Sequence, residues 1–361
     1  MYDTDIVNEL ADLLEAALAH HVGSAAALSV GDGGAEQLRL VRGVTRRLPT
    51  AGSAIDDATV FDLASLTKPM ATAALAMVLV GEGALDLDAP IRRWFPEAAS
   101  LGTVRQLLGH AAGCAAHVEF FRQLRTGAHD DPRAELVELA ARHPATAPGV
   151  TALYSDLGYV MAGAILERAA GVPLDEAFRS RVAEPLGLTG ARYPGTTAIP
   201  RAVATELDDR GLVSGLVHDE NAYFGGGICG HAGLFATIGD VATFAQALLD
   251  TVAGRPRGRW RSDVVRRFVS DAAAPDTTWR LGWDTPSAEP GVSHAGDRWP
   301  RAHAIGHTGF TGTSLWLDLP RGRWVALLTN RVHPSRHGTA DAIKALRRAV
   351  GDAVVAALGP H

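Results

Sequence analysis

Cysteine is nearly absent: Cys114 and Cys229 are the two in 361 residues. Two are too few to build a disulfide scaffold, and their separation is no metal-type spacing; they could pair in an oxidising compartment, but the expectation is two buried free thiols. An excess of basic charge is also missing. Lys and Arg number 34 against 40 Asp and Glu, a net charge of −6, with no basic stripe or polybasic tail. Nucleic acid is thereby excluded as a partner class. The longest apolar stretch, Met70 to Val80, is too short to cross a bilayer, so no membrane partner is expected. The start, MYDTDIVNELADLLEAALAHHV, carries Asp3, Asp5, Glu9, Asp12 and Glu15 and no basic region, the reverse of a secretory leader. As given, the chain reads as soluble and cytoplasmic; a periplasmic place would require a leader already removed.

What is present is ordinary globular composition, 47% hydrophobic and 20% charged, with 39 Gly and 19 Pro to make many turns. Ile6, Leu10, Leu13, Leu14 and Ala17 recur at helical spacing, predicting an amphipathic helix over 4–20. Two strand-like runs follow, Ala25 to Val30 and Gln37 to Val44, joined by GDGG, whose residues tolerate positive φ and suit a hairpin. Residues 45–60 read as loop. From about 65 to 272 helical signals dominate. Thr103 with Gln106 and Thr237 with Asp240 match capping boxes, Gly113 is a candidate stop, and Asp156 opens an apolar-faced helix ended by Gly171.

Near the end, Ala302 to His307, Thr313 to Asp318 and Trp324 to Thr329 form an antiparallel meander. A last helix is capped by Thr339 and stopped by Gly359-Pro360. Strands at both ends with helices between predict an α+β fold. One antiparallel sheet, made from the first hairpin and the last meander, is flanked by the N- and C-terminal helices, with a mostly helical domain inserted. The predicted division is a discontinuous sheet domain, 1–64 and 273–361, and a helical domain, 65–272.

The stretch FDLASLTKPMATAALAMVLVGEG, 61–83, sets a serine and a lysine three positions apart at the head of an apolar helix. Positions i and i+3 share a helix face, so Ser65 and Lys68 can touch. A serine hydroxyl needs a nearby base to become a nucleophile, and burial against apolar side chains favours the neutral amine that such a role requires. The helix start adds free N–H groups that favour developing negative charge. The same pair taken alone also describes a serine cap followed by a solvated lysine.

Its company decides between the two. S-L-T-K at 65–68, Y-S-D at 154–156 and H-T-G at 307–309 stand in the order S-x-x-K, Y-x-N, K-T-G. With VRQLLGHAAG at 104–113, NAYFGGGICGHAGLFAT at 221–237 and GHTGFTGTSLWLDLP at 306–320, the chain resembles the serine β-lactamase and penicillin-binding-protein superfamily, in its class C-like branch, over almost its whole length. The resemblance implies Ser65 as the nucleophile that forms an acyl-enzyme. Lys68 would take or stabilise the hydroxyl proton, and Tyr154 would work with it as general base and then as acid to the leaving group. A tyrosinate there requires neighbouring cations to lower a pKa ordinarily about 10. The backbone N–H groups of Ser65 and Phe310 would form the oxyanion hole. Thr308 and Gly309 would line the strand that pairs with substrate, glycine because the substrate passes close.

Two positions depart from the family pattern. Asp156 stands in place of Asn and accepts hydrogen bonds only. Two readings remain: it pairs with Lys68, holding the lysine charged, or it caps the helix it begins. His307 stands in place of Lys, the residue associated with charge at the reaction centre and with a substrate carboxylate. Neutral His offers hydrogen bonds; protonated His offers charge, and only at mildly acid pH. The expectation is therefore an esterase-type hydrolase of small esters, amides or lactams, needing no cofactor, ahead of a D-amino-acid peptidase, a DD-carboxypeptidase or a true class C-like β-lactamase.

Readings of another class are a penicillin-binding-type module without turnover and a metal hydrolase using His218 and His231 near Asp219 and Glu220. The second has weak support, because no helical i, i+4 histidine pair is present. GGGICGHAG at 225–233 lacks the dinucleotide fingerprint and reads as a tight loop near the site. Trp283, Asp284 and Tyr223 are candidates for the cleft rim. The expected partner is a small acyl substrate; oligomeric state is not legible.

Overall fold

In the computed structural model, which describes residues 4–127 and 129–359, the first hairpin forms β1 (Ala25–Asp32) and β2 (Ala35–Gly43). Gly33 and Gly34, at φ 58° and 88°, supply the left-handed turn between them. The closing meander forms β3 (Ala304–Thr308), β4 (Ser314–Asp318) and β5 (Arg323–Thr329). β1 pairs antiparallel with β5, so the two chain ends build one five-stranded sheet in the order β2-β1-β5-β4-β3. The α+β architecture expected from the sequence is the one observed.

Period-two alternation sends successive strand residues to opposite faces. Leu28 and Val30 of β1 and Val325 and Leu327 of β5 face one side. There they meet Ile6, Leu10 and Leu14 of α1 (Thr4–Ala19) and Val350 and Val354 of the C-terminal helix (Ala340–Leu358). Ala25, Ala27, Trp324, Ala326 and Leu328 face the other side and join the large core of the helical segment, including Phe244 and Leu248 of Ile238–Val252. Both faces are covered, which is why the central strands read as continuous apolar runs. Asp3 and Pro360, part of the predicted acidic start and helix stop, lie outside the described residues.

The helix carrying the S-x-x-K pair, α2, runs over Ala64–Gly81, long and apolar enough to span a bilayer by length and composition; 83% of it is buried inside the protein. The span is longer than the Met70–Val80 run alone suggested, and its apolarity serves the core. Both predicted capping boxes are present, at Thr103/Gln106 and Thr237/Asp240. Other ends differ. The helix after Thr103 stops at Leu108 with Gly109 as its cap, and Gly113 falls in the loop beyond. Thr339 holds the N-cap position of the last helix, but its hydroxyl donates to Arg331 O instead. Two short strands, Ala204–Asp208 and Gly211–Ser214, form a hairpin inside the segment read as helical.

Candidate active site

Ser65 sits in a 3-10 turn, Ala64–Leu66, that opens α2, and Ala64 just before it holds φ at 48°, a conformation uncommon for a residue with a side chain. The turn is pinned from two sides. Buried Asp62 accepts from Ala64 N at 2.8 Å and from His218 N at 2.7 Å. Thr311 and Thr313, in the turn after β3, donate to Asp62 O and Leu63 O at 2.8 and 2.9 Å. This lacing sets Ser65 beside Thr308, Gly309 and Phe310 in one cleft of about 620 Å³. Gly309 is required by its neighbours: a Cβ there would lie 2.4 Å from Leu63 O and 2.1 Å from Thr313 Oγ1. The packing alone demands glycine there, whether or not a substrate also passes close.

Lys68 begins a π-helical stretch, Lys68–Ala73, a widened turn often found at functional sites. Its side chain is fully buried, and its ammonium meets Ser65 Oγ at 3.0 Å, Asp156 Oδ1 at 2.7 Å and His231 O at 3.0 Å, one acceptor for each proton. Tyr154 Oη lies 2.7 Å from Ser65 Oγ, and its ring lies 4.8 Å from the ammonium. Two segments of the chain, 65–68 and 154–156, thus converge on one hydroxyl.

Asp156 answers one of the two open readings. It occupies the first turn of α3 (Asp156–Ala170), while the N-cap is Ser155, whose hydroxyl accepts from Gly158 N. Asp156 is therefore the ion-pair partner of Lys68 and not the helix cap. Burial alone would strip the proton from Lys68, but the Asp156 carboxylate and the Tyr154 oxygen reverse this and hold the ammonium above the usual lysine range. Burial likewise opposes ionised Asp156, and Lys68 with His117 overcomes it, leaving the carboxyl far below its ordinary range. For Tyr154, burial outweighs the opposing pull of Lys68, and the phenol stays neutral beyond its usual range. The resting centre is charged lysine, ionised aspartate and neutral phenol, not the tyrosinate considered from sequence.

His307 lies on the edge strand β3, on the face that Ile305 shares with the helical segment. Its Nδ1 is 2.8 Å from Thr308 O, so Nδ1 carries the proton, and no described group bonds its buried Nε2. Burial, with Lys68 nearby, lowers its pKa to about 3. The histidine is uncharged even at mildly acid pH, which corrects the expectation of charge there.

Sequence alone assigns no role to two residues at the site: His117, which lines the cleft, and His110, in the stretch VRQLLGHAAG. His117 Nδ1 stands 3.2 Å from Asp156 Oδ2. His110, buried at φ 57°, accepts from Ser155 N at 3.0 Å and packs its ring against Tyr154, Tyr159 and Trp279. The histidines proposed for metal are occupied otherwise: His218 bonds Glu206 at 2.8 Å, and His231 lies between Asp219 at 2.8 Å and Cys229 Sγ at 3.1 Å. Among the described residues no group of three or more His, Cys, Asp or Glu is arranged to hold a metal ion. Cys114 and Cys229 are both buried and free. Of the predicted rim, Asp284 lines the cleft; Trp283 is buried in the core, and Tyr223 packs against Phe224 and Arg210.

The family model described as Beta-lactamase matches residues 10–349. The chain belongs to the beta-lactamase family. Among its relatives is the "Putative D-alanyl-D-alanine carboxypeptidase" of Escherichia coli (strain K12), 30% identical over 304 residues, covering 76% of this chain and 70% of that protein. The N-acetylmuramyl-L-alanine amidase of Bacillus subtilis (strain 168) is 29% identical over 306 residues, covering 76% and 68%. The D-amino acid amidase of Ochrobactrum anthropi SV3 shares the fold, with a TM-score of 0.71 at 20% identity over 99% of this chain and 100% of that one. This beta-lactamase-family protein is a serine hydrolase, as the sequence pattern implied.

Proposed function

We propose that Ser65 is the nucleophile of this hydrolase and that it cleaves a small ester or amide through an acyl-enzyme. The observation that carries the reading is one hydroxyl, on the wall of the cleft, held within 3.0 Å of an ammonium and 2.7 Å of a phenol. The Lys68–Tyr154 pair rests with one proton too many to act as a base, since the amine is charged and the phenol neutral. Once the pair has lost one proton, it accepts the Ser65 proton as Oγ bonds to the substrate carbonyl. The backbone N–H groups of Ser65 and Phe310 receive the oxyanion. The proton then passes through Tyr154 to the leaving oxygen or nitrogen as its bond to the carbonyl carbon breaks, and water hydrolyses the Ser65 ester. Beyond Gly306, where Asp284 closes the edge of β3 with paired backbone bonds of 2.8 and 2.9 Å, the strand end at Thr308 is the place for a substrate's main chain.

A second reading, a substrate ending in a carboxylate, is favoured by two arginines of the same cleft. Arg347 donates to Gly309 O and Thr313 O at 2.9 and 2.7 Å, and Arg331 donates to Phe310 O at 2.8 Å. Neither has a carboxylate within 4.0 Å among the described residues, although both are buried. Burial, with Arg331 adjacent, lowers the Arg347 pKa to about 9. An anionic substrate group would relieve both. It would also fit the carboxypeptidase named among the relatives, and would move the anion-binding task away from neutral His307.

Intact-mass spectrometry after exposure to p-nitrophenyl butyrate, a D-peptide, the same peptide as its terminal amide, and a β-lactam tests both readings. Acyl adducts should form on Ser65 and vanish in Ser65→Ala. An adduct that survives in that variant refutes Ser65 as the nucleophile. Equal handling of the free peptide and its amide refutes the carboxylate reading.

A further inference from the structure

Asp156 is shared. Its Oδ1 accepts from Lys68, and its Oδ2 faces His117 Nδ1 at 3.2 Å across the mouth of the cleft. The imidazole is 45% exposed, so it exchanges protons with solvent, while the lysine it influences does not. The contact is built into the backbone. Asp156 N donates to Ala116 O at 2.8 Å, and Ser155 Oγ donates to Ala115 O at 2.6 Å, clamping the segment just before His117 onto the start of α3. On its other side, Asn221 donates to Val118 O at 2.8 Å and accepts from Phe121 N at 2.7 Å. His117 is thus held from both flanks in a loop that has no regular structure to place it.

We infer that His117 is a positioning residue that acts through Asp156 to set how readily the Lys68–Tyr154 pair gives up its surplus proton. The inference rests on the Ser65 reading above. A carboxylate shared with an imidazolium grips the lysine less strongly than one left to the lysine alone, because the second cation offsets part of its field. Protonated His117 therefore eases loss of a proton from the pair. Neutral His117 leaves Asp156 wholly to Lys68 and keeps the amine charged.

The groups facing His117 are Asp156 from α3 with Lys68 behind it, Asp219 ahead of the short helix Glu220–Phe224, His231 from the glycine-rich loop, and Glu119 on its own segment. The hydrogen bond to Asp156 outweighs the cost of burial, and the pKa of His117 is raised, so its charge persists to higher pH than that of an ordinary histidine.

The test is the pH dependence of acylation, followed as p-nitrophenol release from p-nitrophenyl butyrate, in the parent, His117→Gln and His117→Arg. In the glutamine variant the part of the ascending limb where His117 is charged should move to higher pH by about half to one unit, a roughly three- to tenfold loss of acylation at pH 6 that closes as pH rises and the parental His117 loses its proton, with KM little changed. The arginine variant, permanently charged, should keep that part of the limb near the parental position. In an Asp156→Asn background, where the carboxylate that transmits the effect is gone, His117→Gln should produce no further displacement. A loop that merely needs packing would lower activity at every pH without moving the limb. A limb unmoved in His117→Gln, or moved equally with and without Asp156, overturns the inference. If His117→Gln does not fold, His117→Asn carries the same test. Failure of the Ser65 reading is separate, since it shows as no acyl adduct in the parent protein.

Discussion

On one side of Ser65 stand Lys68 and Asp156, both charged, with His117 bonded to the far oxygen of the carboxylate. On the other stand His307 and His110, buried, neutral and each with a ring nitrogen that no described group bonds. The two sides draw on opposite effects of burial. Removal from water penalises every charge. On the charged side the penalty is met by pairing, and Lys68 keeps its proton because Asp156 is within 2.7 Å. On the neutral side no carboxylate bonds either ring, and both imidazoles stay neutral. The hydroxyl therefore lies between a cationic wall that can stabilise and move a proton and an aromatic wall that can only shape the cleft.

The largest expected effect comes from breaking the charged wall. Lys68→Ala removes the ammonium that bonds Ser65 and leaves Asp156 buried without its main partner. Acylation should fall on the order of 10²–10⁴-fold, the usual contribution of an acid–base partner. Stopped-flow release of p-nitrophenol would measure it, and a near-normal rate would show that Tyr154 alone activates the serine.

The neutral wall is sharpened by giving it a charge. His307→Lys places an ammonium on β3 near Tyr154, whose ring centre lies 6.0 Å from that of His307. The ratio of kcat/KM for a carboxylate-bearing lactam to that for a neutral ester should rise, by roughly tenfold for one well-placed charge. If the ratio stays put, the anion is already served by Arg331 and Arg347, and the identity of residue 307 is not what sets acyl preference.

The comparison also shows what the sequence could and could not disclose. The sheet and its flanking helices were legible, because alternation in Leu28/Val30 and spacing in Ile6/Leu10/Leu14 are local consequences of burial. Ser65, Lys68 and Tyr154 were legible through motifs whose order survives in the chain. The choice between two roles for Asp156 was not, since it turned on whether Ser155, one residue earlier, supplied the cap. His117 carries no motif, and only the clamp between Ala115, Ala116 and the start of α3 brings it to Asp156. The charge of His307 depended on burial by segments more than a hundred residues away. Arg331 and Arg347 are marked as unusual only by having no carboxylate within 4.0 Å among the described residues while buried.

The smallest expected effect separates the walls by the pH at which each fails. The folded-state pKa of His307, about 3, lies below its ordinary 6.5, so the folded protein resists a proton that the unfolded chain accepts. Its contribution to stability is complete above pH 6.5 and drains as pH falls toward 3. Asp156 is depressed from 3.8, so the charged wall is intact until pH falls below that value. Acid should therefore loosen the neutral wall first. Urea titrations of the parent and of His307→Asn at pH 7 and pH 4.5 read the difference directly. Other buried histidines drain in the same window in both proteins and cancel in the comparison. The parent should lose more stability between the two pH values than the variant does, by on the order of 2 kcal/mol. Equal losses would mean that His307 takes up its proton in the folded protein as readily as in the unfolded chain, and the neutral wall would then be neutral only above pH 6.5.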